Sequence, residues 1–265
     1  MTTAEVQNPT WSHTAYVYVP NTLDNNINNN ILISNHGAIK AVDFAMAEFA
    51  LSTGTVTVDI FNNPQTPYLF TADPQPRGGD QAIAYSWKYY IQNPSTDNLA
   101  FVMQLPMVKT ITAGFSAVRD FIKQKQGLNI DSYAIKGGSK RGWASWLACA
   151  YDTRCVVALS KSFDNLNVVP AMKQHYMALG GWSRAYTSYW NEGVTELIDT
   201  HELREISCMI DPLLLVHEYT ARNVPIYSMT ATGDEFFLHQ NQIVYENFHS
   251  NLYMNMVPNK GHGTG

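Results

Sequence analysis

Charge is scarce in this chain. Only 15% of its 265 residues are Asp, Glu, Lys or Arg, against about 25% in an average soluble protein. The net charge is −5 and no basic run occurs. Nucleic acid is therefore excluded as a partner, because its binding rests on Lys and Arg neutralising phosphates. Cysteine is scarcer still, with Cys149, Cys155 and Cys208 and no C-x-x-C pair. An odd number in a long chain is not a disulfide framework, and zinc or redox chemistry lacks its spacing. The three cysteines are expected to be small buried hydrophobes. Also missing is any apolar run of the roughly 18 residues a membrane-spanning helix needs. The first eleven residues are polar and lack the basic-then-apolar pattern of a signal peptide. No internal repeat appears.

Hydrophobic residues make up 45% of the chain, which is enough for a real core. Residues 11–20 alternate in strand fashion and stop at Pro20. Six Asn crowd the ten residues 21–30 and read as a solvated loop. Short apolar runs at 31–34, 56–61, 133–136, 156–159, 224–230 and 252–257 read as strands. Helical spacing marks 41–52 (Phe44, Ala47 and Leu51 on one face), 80–91, 104–125, 142–150 and 242–249. Residues 62–79 read as loop. Residues 161–223 are rich in Trp, Tyr and Met and contain no strand signal. Alternating strand and helix is the mark of a mostly parallel sheet with helices on both faces. Ligands in such folds sit at the carboxyl ends of the strands.

Four strand ends carry chemistry. They are His36-Gly37, Gly137-Gly138-Ser139-Lys140-Arg141-Gly142, Gly233-Asp234 and the loop holding His262. In chain order they give Ser139, Asp234 and His262, with the serine between a strand and a helix. That is the nucleophile-elbow order of α/β-hydrolases. A serine hydroxyl needs a base to attack, which His262 supplies, and Asp234 would fix the imidazole tautomer. Small neighbours at 137, 138 and 142 would admit a sharp turn. The Lys140 N–H at the helix start is the first oxyanion donor, and the Gly37–Ala38 region is the second. The usual elbow is G-x-S-x-G; here Arg141 stands at the last position, and the glycine comes one residue later. Asp164, after the strand at 156–159, is the alternative acid. With three residues after it, His262 is expected to be loosely tethered.

The segment GGSKRGW at 137–143 resembles the G-x-S-K-R-G-W signature of the PhoPQ-activated pathogenicity-related protein family, which includes autocrine proliferation repressor proteins. Trp11-x-His13, Pro64 with its flanking Asn and Gln, and Asp80-Gln81-Ala82-Ile83-Ala84-Tyr85-Ser86-Trp87 extend the resemblance. So do Leu105-Pro106-Met107-Val108-Lys109, Gly180-Gly181-Trp182-Ser183, Ile210-Asp211-Pro212, Thr232-Gly233-Asp234-Glu235-Phe236-Phe237 and Val257-Pro258-Asn259. The resemblance implies one α/β-hydrolase domain over 1–265 with a helical cap at about 161–223. It places the triad on the same three residues. It also implies secretion and a longer chain at both ends, so the sequence reads as a fragment. The S-x-x-G elbow is similar to that of glucuronoyl esterases, in which the basic residue after the serine helps hold the oxyanion; Lys140 is its counterpart.

The remaining candidates are weaker. His36 sits where it can touch substrate. Trp182 and Tyr186 can roof a pocket for an apolar or aromatic acyl group. Trp143 and Trp146 read as core, Glu235 as a second orienter of the histidine, and Arg184 as half of a surface ion pair. No motif implies a metal or an organic cofactor, and nothing sets an oligomeric state. Two functions follow. One is hydrolysis of a small-molecule, peptide or ester substrate through a Ser139 acyl-enzyme. The other is signalling at a cell-surface receptor by a protein that keeps the hydrolase fold without needing turnover.

Overall fold

The structure is a computed structural model that describes residues 10–24, 29–39, 44–71, 73–238, 245, 248 and 251–263. Its centre is a seven-stranded sheet. In chain order come β1 (Ala15–Tyr18), β2 (Asn30–Asn35), α1 (Phe44–Thr53), β3 (Val56–Ile60), β4 (Tyr68–Phe70), β5 (Asp73–Arg77), α2 (Gly79–Gln92), α3 (Thr96–Leu99) and α4 (Gln104–Gln126). Then follow β6 (Ser132–Gly138), α5 (Lys140–Tyr151) and β7 (Cys155–Lys161). After β7 come α6 (Val168–Leu179), α7 (Thr187–Asn191), α8 (His201–Ile210) and α9 (Val216–Arg222), and finally β8 (Ile226–Ala231) and β9 (Leu252–Val257). The strand order is β1-β3-β2-β6-β7-β8-β9. Only β1 runs antiparallel to its neighbour; the other pairs are parallel. This is the mostly parallel α/β sheet that the pattern implied.

Burial explains the strands. β2 and β3 lie between helices, and nearly every residue in them is buried, so they read as continuous apolar runs. Helix α4 keeps an apolar stripe of Met107, Val108, Ile111, Phe115, Val118 and Ile122 against the sheet. It stops at Gly127, whose φ of 68° is left-handed and whose N–H donates to Lys123 O at 3.0 Å. Helix α5 is apolar on all sides because it is central: every residue from Gly142 to Ala150 is buried.

Four readings need correction. Tyr68–Phe70 and Asp73–Arg77, read as loop, pair as the antiparallel strands β4 and β5; two prolines in β5 hid them, and prolines are tolerated there because the strand lies at an edge. The strand read at 133–136 does not stop at Lys136: it runs on through Gly137 and Gly138. The apolar face of α1 is not the buried one: Phe44 is 77% and Leu51 68% exposed, while Met46 and Ala50 pack inward. This helix is apolar on more than one side, so spacing alone could not choose the docked stripe. Finally, Cys149 and Cys155 form a disulfide across the turn between α5 and β7, with Cα atoms 4.8 Å apart, and Cys208 is exposed. The helix read at 242–249 lies largely outside the described residues. No described helix is long and apolar enough to cross a membrane.

Candidate active site

Ser139 ends β6 and opens α5 with φ 57° and ψ −129°. A non-glycine residue held there costs about 1–3 kcal/mol and persists only when its surroundings over-determine it. They do so here. The Ser139 N–H donates to Lys161 O at 2.8 Å, and Ser139 O accepts from the Trp143 N–H at 3.0 Å. A Cβ at position 137 would run into Arg141 O; one at 142 would lie 2.6 Å from Ser160 Oγ and 3.1 Å from Gly137 O. At 138 it would meet nothing closer than Lys161 O at 3.8 Å. Two glycines are therefore required, not three. The turn bends against Ser160, opposite position 142, so the glycine falls there and not at 141.

Arg141, which reads in the sequence as a flaw, fills the space this frees. Its Nε donates to Asn63 O at 2.8 Å. Its Nη2 lies where a side chain on Gly37 would project. Asn63 in turn donates its N–H to His36 O and its Nδ2 to Met107 O, both at 2.9 Å. One buried guanidinium thus ties the elbow helix to the loops after β2 and β3. Burial pushes its pKa below the usual guanidinium range, and the Asp80 carboxylate works in the opposite sense.

At the far end of the sheet, His262 Nδ1 lies 3.0 and 2.9 Å from the two carboxylate oxygens of Asp234. Asp234 is buried, and its Oδ1 also accepts the N–H groups of Phe236 and Phe237 at 2.8 and 2.9 Å. The loop carrying His262 is firmly held, contrary to the expectation of a loose tether. Ser162 Oγ donates to His262 O at 2.5 Å, the His262 N–H donates to Glu235 Oε2 at 3.0 Å, and the Gly233 N–H donates to Lys260 O at 2.9 Å. Glu235 therefore holds the histidine's main chain and does not touch its ring. That amide bond keeps the Glu235 carboxyl below its usual range. Phe236 and Phe237 pack against the imidazole, with ring centroids at 4.6 and 5.7 Å. Asp164, the alternative acid, lies beside the Tyr245 phenol, which is raised first by burial and further by this carboxylate.

Ser139 and His262 open on one cleft of about 860 Å³, which His36 also lines. Among the described residues no hydrogen bond joins Ser139 Oγ to His262. His36 bonds a buried carboxylate that the sequence did not single out. Its Nε2 is 2.6 Å from Asp59 Oδ1 and 2.8 Å from Ser34 Oγ, and its ring stacks on Phe61 at 4.8 Å. Tyr18 donates to the other oxygen of Asp59 at 2.9 Å. An Asp inside the apolar run Val56–Phe61 was the available signal, since a charge is left in a core only when paired.

A second, narrower space also touches Ser139. It measures about 40 Å³ and is walled by Trp87, Trp143, Tyr186 and Tyr189 among others. Tyr186 reaches it; Trp182 stands one ring behind, 5.1 Å from Tyr186. Lys140 Nζ pairs with Asp80 at 3.0 Å on its rim. Trp143 and Trp146 are buried in the core as expected. Arg184 is exposed and makes no ion pair among the described residues. Asp211, from Ile210-Asp211-Pro212, accepts the N–H groups of Asn167, Val168 and Leu213 at 2.8–3.0 Å and so anchors the start of α6.

Comparison with known proteins gives consistent results. The model of the PhoPQ-activated pathogenicity-related protein family matches residues 1–265. Autocrine proliferation repressor protein A of Dictyostelium discoideum is 29% identical over 266 residues, covering 96% of this chain and 52% of that protein. The chain thus spans about half the length of the curated relative it matches. Among solved structures, a puromycin-hydrolyzing peptidase of Mycobacterium tuberculosis superposes with TM-score 0.59 at 15% identity, over 94% of this chain and 34% of that one. An acetyl xylan esterase from Paenibacillus sp. R4 gives 0.55 at 14%, over 94% and 74%. Est1E from Butyrivibrio proteoclasticus gives 0.52 at 13%, over 97% and 88%. At these identities the likeness establishes the α/β-hydrolase fold and nothing finer.

Proposed function

The chain belongs to the PhoPQ-activated pathogenicity-related protein family, and from that premise we propose that it is a serine hydrolase of carboxylic esters or amides. The observation that carries this reading is the strained Ser139 facing the same cleft as the His262–Asp234 pair. Backbone strain at a strand-to-helix turn is kept where function needs an exposed nucleophile. Ser139 Oγ attacks the carbonyl and His262 Nε2 takes its proton. Asp234, on Nδ1, sets the tautomer that leaves Nε2 free to accept and stabilises the imidazolium. Apo catalytic contacts are often long and tighten when substrate binds. The oxyanion meets the Lys140 N–H and the Gly37–Ala38 backbone, which Arg141 braces. The Lys140 ammonium adds positive charge nearby. His36 and Tyr186 line the space left for substrate, and Trp182 backs Tyr186. The helices at 161–223 act as a cap on a single domain.

Ser139→Ala tests the reading. Turnover of activated esters is expected to fall by at least about 10³-fold with folding intact. A fluorophosphonate probe is expected to label the wild-type chain and not the variant. Full turnover in Ser139→Ala sinks the proposal.

The Dictyostelium relative, an autocrine proliferation repressor by name, supports a second reading, a secreted factor that signals through a cell-surface receptor. The Cys149–Cys155 disulfide supports export, since such bonds persist in oxidising compartments. A growth effect that survives Ser139→Ala would separate signalling from catalysis.

A further inference from the structure

We infer that the open cleft beside Ser139 takes a leaving group that carries a negative charge, a carboxylate or a phosphate; this rests on the serine-hydrolase reading. The sheet itself holds the anomaly. Inner strands of a parallel sheet are normally apolar runs, and β6 and β7 are inner strands with parallel neighbours on both sides. Yet each carries a lysine, Lys136 and Lys161, and both line the cleft. In the register Lys136 lies opposite Leu159, and Lys161 lies opposite Gly138. The two lysines are therefore on one face of the sheet, on adjacent strands and two positions apart. Like charges so placed repel each other.

No described carboxylate neutralises them. Lys88, Lys140 and Lys173 each meet an acid; among the described residues Lys136 and Lys161 meet none. No Asp or Glu lines the cleft, although the chain holds 22 acids against 17 bases. The carboxylates around it are engaged: Asp234 with His262, Asp59 with His36 and Tyr18, and Glu235 with the His262 N–H. A hollow lined by one sign of charge focuses its field and draws in an ion of the other sign. The lysines also stand beside the chemistry, since Lys161 O accepts the Ser139 N–H at 2.8 Å. In acyl transfer the imidazole gives its proton to the leaving atom. His262 lines this same cleft, so the leaving half of the substrate is the half that meets the lysines.

The test separates charge from turnover. Binding of p-acetoxybenzoate, of p-acetoxyphenyl phosphate and of the uncharged methyl p-acetoxybenzoate is measured by calorimetry on the Ser139→Ala chain at low ionic strength. The better anion is expected to bind on the order of tenfold more tightly than the methyl ester, about what two open ion pairs supply. Which anion wins tells carboxylate from phosphate. The preference is expected to vanish near 1 M salt, where the screening length is about 3 Å. Lys136→Gln and Lys161→Gln are each expected to cut it by about threefold, and Lys136→Glu with Lys161→Glu to reverse it. In the wild-type chain the same pair of glutamates is expected to lower kcat/KM for the anion relative to the methyl ester by on the order of tenfold. Equal binding of anions and methyl ester overturns the anionic site, whatever the turnover. So does a preference that survives the lysine variants. Preferential binding with no turnover of any ester and no fluorophosphonate labelling overturns the serine reading and leaves the anionic site standing.

Discussion

The two sides of Ser139 are built on opposite plans. On one side, Trp87 of α2, Trp143 of α5, Met172 of α6, Tyr189 of α7 and Tyr186 just before it crowd around a narrow space. On the other, a cleft of about 860 Å³ runs from His36 and His262 down a sheet face carrying Lys136, Tyr227, Met229 and Tyr253. The first side is narrow and fixed by ring-on-ring contacts. The second is open, and Tyr227 and Tyr253 stack on each other at 4.8 Å while both stay about half exposed.

The sharpest way to break this contrast is to truncate one ring on each side. Trp87 is fully buried and donates Nε1–H to Gln104 Oε1 at 3.1 Å. Trp87→Ala is expected to cost about 3–5 kcal/mol in chemical denaturation. Tyr253→Ala, at a residue 49% exposed, is expected to change stability by no more than about 0.5 kcal/mol. Equal losses would show that the open side is as tightly packed as the other.

The elbow glycines give a smaller effect of the same kind. Gly142→Ala sets a methyl 2.6 Å from Ser160 Oγ and is expected to cost about 1–3 kcal/mol, with activity lost alongside. Gly138→Ala meets only ordinary contact and is expected to leave melting and turnover close to wild type. A destabilised Gly138→Ala would mean that the turn is tighter than its geometry indicates.

The smallest effect is a pH dependence confined to the aromatic side. Burial lowers the pKa of His175 from 6.5, and its ring lies against Tyr186 with Nε2 at 2.8 Å from Ser183 Oγ. The folded state therefore prefers the neutral ring. Its contribution is complete above about pH 6.5, where the unfolded imidazole is also neutral, and is lost as pH falls through the lowered folded value. Melts at stepped pH from about 7.5 to about 5 should show that slope, and His175→Gln should flatten it. A slope unchanged in the variant would assign it to another group.

The sheet and the elbow were legible because their signals are local. Apolar runs of strand length, Gly137 and Gly142 around Ser139, and Asp and His just past the last two strands each occupy a few consecutive residues. Arg141 was not legible, because its partners Asn63 and Gly37 lie far away in sequence and meet it only where β2, β3 and β6 end side by side. Asp59 showed only as a charge inside an apolar run, with nothing local to name His36 and Tyr18 as its partners. The cysteines misled because an odd count says nothing about a single close pair.

By itself, the chain's pattern determined an α/β sheet with Ser139, Asp234 and His262 at strand ends in hydrolase order, since periodicity and turn chemistry act over a few residues. Tertiary structure alone decided that Met46 and Ala50 rather than Phe44 and Leu51 dock α1, that Cys149 meets Cys155, and that aromatics from α2, α5 and α7, with Met172 of α6, crowd one side of Ser139 and leave the other open. The physical reason is shared. Each outcome depends on which distant surfaces the strand order brings within van der Waals reach, and close packing accepts only one arrangement of them.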